Sequence, residues 1–157
     1  MMVLSFAAPS HRAAVARCEP AYCRCIPPAG VSVGEVVRGQ RERSTQVVLG
    51  RVVRVDTVAP QLVQHGPANM EVHGLAARVS ILRVWKGPLV DTLTVDFGST
   101  PVASSCDLSL EVGRSYVIFA TRDENGVVRS RVCNGTTAED DATATISALG
   151  PAQEPKK

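Results

Sequence analysis

Aromatic side chains are scarce in this chain: Trp85, two tyrosines and three phenylalanines make up 4% of 157 residues. Val, Ala, Leu and Ile must therefore fill any core. The abundance of valine favours strands, where β-branched side chains pack well. The same scarcity leaves few rings on which nucleic-acid bases could stack. Charge of one sign is also missing. With 17 Lys and Arg against 15 Asp and Glu, the net charge is +2, too weak a field to hold a polyanion or an anionic membrane surface. No apolar run approaches the ~20 residues of a membrane-crossing helix. There is no Ser/His/Asp order, no phosphate-cradling glycine loop and no pair of carboxylates on a common element. His11, His65 and His73 are scattered through leader and loop segments, which predicts exposed side chains rather than metal ligands. The chain therefore reads as non-catalytic, with no intrinsic metal and no cofactor.

What is present begins with cysteine. Five cysteines in this length, widely spaced, suggest an oxidising compartment, so a secreted, periplasmic or cell-envelope protein. Cys23 and Cys25 form a C-x-C pair followed by Ile26-Pro27-Pro28, with Cys106 and Cys133 far downstream. On an extended segment two such cysteines point the same way and can reach two partners in the body of a fold. Three readings stand side by side: disulfides, a thiolate zinc site and free thiols. Structural zinc sites favour two-residue gaps between cysteines, and a one-residue gap fits that poorly. Cys18 is the odd cysteine. Arg17 before it argues against lipid attachment, leaving a leader cysteine or an intermolecular thiol.

Hydrophobic residues make up 45% of the chain, enough for one domain with a core. Residues 1–22 read as a leader or degenerate signal segment. Met1 to Ala8 is apolar and Ala14-Val15-Ala16 matches a small-x-small cleavage site, but His11 and Arg12 interrupt the run. Residues 23–150 form the domain, and 151–157 a polar tail. Residues 23–30 are Pro-rich and extended. Val31 to Arg43 predicts a short helix, weakened by Gly34 and Gly39. Gln46 to Thr57 is a strand whose Gly50 marks a bend or a close approach. Val58 to Gly74, with Pro60, Gly66 and Pro67, reads as an exposed loop. Leu75 to Trp85 is a second strand. Its apolar face slips by one residue after Ile81, to Leu82 and Val84, which predicts a β-bulge. Thr92 to Phe97 and Arg114 to Thr121 are the third and fourth strands. Asn125-Gly126 turns the chain into a fifth over Val127 to Cys133. Asp140 and Asp141 predict the cap of a helix ending at Leu149, with Gly150 as its stop and a calcium site as a remote alternative. Five strands with short flanking helices suggest a small closed barrel.

Four segments then resemble a family: Cys23-Arg24-Cys25, VVLGRVVRV (Val47 to Val55), VWKGP (Val84 to Pro88), and LEVGRSYVIFA with CNGT (Leu110 to Ala120, Cys133 to Thr136). Together they look like the netrin-like module of the tissue inhibitors of metalloproteinases, and more closely like bacterial secreted proteins of that group, over about residues 23–149. The resemblance implies an all-β fold: a five-stranded OB-type Greek-key barrel with one or two short flanking helices. It implies the pairs Cys23–Cys106 and Cys25–Cys133. It also implies a function, a secreted non-catalytic protein-binding module that acts as a monomer. Its partner would be a protein, a zinc metalloprotease, gripped by Cys23, Arg24, Cys25, Ile26 and Pro27. In the family the α-amine and carbonyl of the N-terminal cysteine chelate the catalytic zinc, a role that would fall to Cys23. The third disulfide of the eukaryotic inhibitors has no partners here, and the chain leaves no room for their second domain. Cleavage before Cys23 would put Tyr22 and Pro20 where small residues are favoured. Cleavage after Ala16 would leave six extra residues. Both considerations favour a structural C-x-C staple. The alternative function is a structural or envelope-associated interaction domain that inhibits no protease. An oligonucleotide-binding barrel ranks third.

Overall fold

The computed structural model describes residues 25, 29–65, 68–100 and 107–155. Helix α1 (Val33–Arg43) precedes strands β1 (Gln46–His65), β2 (Ala68–Lys86), β3 (Thr92–Thr100), β4 (Ser115–Arg122), β5 (Val128–Arg129) and β6 (Thr137–Ala138), and a single 3-10 turn (Glu139–Asp141) leads into α2 (Thr143–Leu149). Among the described residues no helix is long and apolar enough to cross a membrane.

The strands run β1-β2-β3-β5-β4, and β4 returns to pair with β1. That is the ring of a five-stranded OB-type Greek-key barrel, antiparallel except where β3 meets β5. Alternation along β1 assigns the two faces. Val48 and Val52 join Val79, Ile81, Leu93, Val95, Phe97 and Ile118 inside the barrel. Val47 and Leu49 face outward beneath the helices, with Val117, Phe119, Trp85, Val37 and Leu149. Strand β4 is thus buried on both faces, which is why its sequence is a nearly unbroken apolar run.

The face-switch expected in β2 is a bulge. Gly50 pairs with Ile81, Leu49 with Arg83, Val48 with Val84 and Val47 with Lys86, so Leu82 and Trp85 are extra residues on β2. Val84 stays inside, Trp85 is thrown outward onto the helices, and Leu82 faces solvent, so only one of the two expected apolar positions is buried. The Trp85 indole N–H donates to the carbonyl of Gly150 at 2.8 Å, the residue that ends α2 with φ 74°. Beyond it, Gln153 exchanges both backbone hydrogen bonds with Val84.

Three expectations need correction. The loop expected over 58–74 is a long hairpin arm, with Gln61 opposite Val72 and Val63 opposite Met70. Pro60 is tolerated because it follows a register shift and lies beyond Arg51, where β1 no longer pairs with β4. The fifth strand does not reach Cys133: it stops at Arg129. The chain then turns through residues 131–135 and resumes as β6 on the same edge of β4. Finally, Asp140 and Asp141 cap nothing. The N-cap of α2 is Ala142, without a side-chain hydrogen bond, and the acidic pair lies in the preceding 3-10 turn.

Candidate functional site

The gap between β5 and β6 falls opposite Phe119. Two hydroxyls fill it in place of ladder groups. Phe119 N–H donates to Thr136 Oγ1 at 2.9 Å, Ser130 Oγ donates to the Phe119 carbonyl at 2.9 Å, and the two hydroxyls bond each other at 2.7 Å. This bridge lets residues 131–135 leave the sheet without stranding the backbone of β4. The excursion is tight. Asn134 N–H closes a turn on the Arg131 carbonyl, Cys133 sits at φ 67° and Gly135 at φ 98°. Cys133 alone among the described non-glycine residues has positive φ, a conformation that costs on the order of 1–2 kcal/mol for an L-residue. Gly135 lies so close to the Gln40 side chain of α1 that a Cβ would clash there. The turn is held from both sides, by the sheet and by the helix.

Its purpose is covalent. Cys133 is disulfide-bonded to Cys25, with Cα atoms 5.0 Å apart. Cys25 is exposed. A groove of about 330 Å³ runs beside the bond, walled by Val33, Val36 and Val37 of α1 on one side and Thr136 and Thr137 on the other. Val33 is 53% exposed at its edge. The start of α1 is fixed by a reciprocal cap: Ser32 N–H donates to Glu35 Oε2 at 2.9 Å, and Glu35 N–H to Ser32 Oγ at 3.3 Å. The Ser32 hydroxyl and backbone N–H hold the Glu35 carboxyl below the usual carboxylate range. At the other end Lys86 Nζ donates to the carbonyls of Arg41 and Glu42, placing a cation at the negative end of the helix.

Of the residues singled out from the sequence, Cys25 and Cys133 are brought together as the resemblance implied. Cys23, Arg24, Ile26, Pro27 and Cys106 lie outside the described residues, as do Cys18 and His11. The Cys25 sulfur is spent in the disulfide, which takes it out of the thiolate-zinc alternative. No group of three or more His, Cys, Asp or Glu that could hold a metal occurs among the described residues. His73 is half-buried rather than free in solvent, and its Nε2 lies 3.0 Å from Glu71 on the arm. Asp140 is exposed and, among the described residues, meets Arg114 at 3.9 Å. Tyr116, Phe119 and Trp85 are all buried, so none of the three offers a face for base stacking.

Sequence reading missed Ser130 and Gln40, which carry the turn. Ser130 sits inside what looked like a plain strand, and nothing near Gln40 pairs it with a distant glycine. Thr136 was visible only as part of the CNGT phrase. Neither the family models nor the characterised proteins compared with the chain gave a match.

Proposed function

We propose that this protein is a secreted or periplasmic, non-catalytic protein-binding module of the metalloproteinase-inhibitor type, which presents its N-terminal Cys-x-Cys strip to a zinc endopeptidase. One observation carries the reading: Cys25 is exposed yet covalently anchored to a turn that is itself clamped between β4 and α1. Anchoring residue 25 in this way lowers the conformational entropy that this residue would lose on binding a partner. The chelating step would fall to the α-amine and carbonyl of Cys23. It requires that Cys23 be the mature N-terminus, because an acylated amine is a poor metal ligand.

The test has two stages. The mass of the mature protein shows whether the chain starts at Cys23. Protein starting there is then titrated against a panel of zinc endopeptidases beside a form with one extra N-terminal alanine. Inhibition by the first and at least tenfold weaker inhibition by the second supports chelation. Equal potency, or none from either form, removes the inhibitor reading and leaves a structural or envelope-associated interaction domain.

A further inference from the structure

The outer edge of β1 is open over one short window. β4 pairs with β1 only as far as Arg51. Val52 makes the last contact on that side: its N–H donates to the Arg114 carbonyl, and its own carbonyl accepts from Gly113 N–H. From there to Pro60, which has no N–H to offer, the backbone of β1 is bonded to β2 alone among the described residues. Register shifts fall at Val53 and after Thr57, so the stretch between them, Arg54 to Thr57, pairs without interruption. The pairing fixes which backbone groups point outward. Ile81 N–H donates to the Asp91 carbonyl, so Ile81, Val79 and Ala77 turn their polar groups toward β3. In an antiparallel ladder two opposite residues either both face each other or both face away. Val55, opposite Ala77, therefore presents its N–H and C=O to the open side.

An open strand edge is a template for another strand, and this one is complementary to itself. Two copies laid antiparallel about a two-fold axis through Val55 bring Val55 against Val55, each N–H donating to the other carbonyl. Arg54 then lies opposite Asp56 twice over. These are the non-hydrogen-bonded positions, where side chains come closest. Both side chains are exposed, and Arg54 Nε lies 2.5 Å from Asp56 Oδ1 of its own chain, so the two charges share a face. With the axis at Asp56 instead, Asp56 would oppose Asp56, and like charges directly opposite are unfavourable. Charge thus selects the register. The same pairing sets the Val53 end of one copy against the Val58 end of the other. Val53 is 48% and Val58 39% exposed, and Val112, next to the Gly113 contact, is 61% exposed. Past Thr57 each chain has Gly113 and Arg114 of the other copy ahead of it, and the register shift there supplies a bend in β1.

We propose that the free edge of β1 pairs two copies of this chain into a two-fold dimer, Val55 on Val55, with Arg54 of each copy on Asp56 of the other. The contact is isologous and therefore closes. The Arg114 contact at one end and Pro60 at the other stop the ladder, so it does not propagate into a fibre. The window is short, which makes this a weak, reversible association. The family resemblance implies a monomer, and this edge departs from that expectation. The dimer does not depend on protease inhibition.

The test is sedimentation equilibrium of the oxidised full chain, which should fit a monomer–dimer equilibrium with a Kd of about 1 mM or tighter. Arg54→Asp and Asp56→Arg each set like charges opposite one another at both contacts, and each should weaken self-association at least tenfold. An equimolar mixture of the two variants restores an Arg opposite an Asp at both contacts. It should form a mixed dimer at least tenfold tighter than either variant forms alone. Both side chains are exposed, so the monomer should keep its fold, with the near-UV signal of Trp85 as the check. A native chain that stays monomeric overturns the proposal. So does a dimer that neither variant weakens, or a mixture that associates no better than its components. If a variant does not fold, hydrogen exchange on the native chain still decides. Protection of the Val55 amide should rise with protein concentration, and protection independent of concentration overturns the dimer.

Discussion

At Gly50 the backbone of β1 passes directly over the side chain of Val79, and a Cβ there would overlap Val79 Cγ1 and crowd Ile81 Cδ1. The residue is glycine for lack of space, not for its φ. Gly50→Ala should therefore behave as an overpacked core, losing about 1–3 kcal/mol of stability, read from urea midpoints at unchanged m-value. Glu35 illustrates a pH-dependent residue. Its folded pKa is lowered, chiefly by the Ser32 hydroxyl and backbone N–H, so its contribution is present above the unfolded pKa and is lost as pH falls through the folded one. Carboxyl-carbon NMR titration should place Glu35 below an ordinary glutamate. Ser32→Ala should move it upward and weaken hydrogen-exchange protection in the first turn of α1.

At the scale of elements, the hairpin arm and the barrel make different demands on sequence. The barrel strands were legible because burial writes itself as alternation: Leu93, Val95 and Phe97 against Thr92, Thr94 and Asp96. In the outgoing part of the arm Val58 to Leu62 are all exposed, Leu62 at 76%, so no alternation is imposed there and Pro60 and Gly66 suggest a loop. Pairing of backbone to backbone leaves no hydrophobic record. Likewise, the division of β5 from β6 was invisible, because it depends on two hydroxyls meeting one peptide. The Cys25–Cys133 link was reachable only through resemblance to a family, since spacing alone left disulfides, zinc and free thiols open. If the arm is an appendage, replacing residues 58–74 by Asn-Gly between Thr57 and Leu75, which already face each other, should give a two-residue hairpin. The near-UV signal of Trp85 should persist, and the melting midpoint should move by less than about 4 °C, the equivalent of about 1 kcal/mol in a protein of this size. Collapse of that signal would show that the arm is part of the folding unit.

Across the whole molecule, the Cys25–Cys133 bond spans 108 residues and encloses β1 to β5. The chain-entropy model assigns a closed loop of that length about 4–5 kcal/mol. Cys25→Ser/Cys133→Ser should lose stability on that scale in denaturant titrations, with the larger share in faster unfolding if the bond's ends dock late. Loss of less than about 1 kcal/mol would mean that the turn holds residue 25 in place without the bond. The same link has a consequence for how the protein meets hydrolysis. From residue 25 to residue 133 the chain is a covalent circle, and a circle cut once is still a single piece. A peptidase that nicks the arm, or the turn at Asp123 to Val127, gains one new pair of ends but liberates no fragment. On a non-reducing gel the nicked protein runs as one band, and it falls into two only when thiol is added.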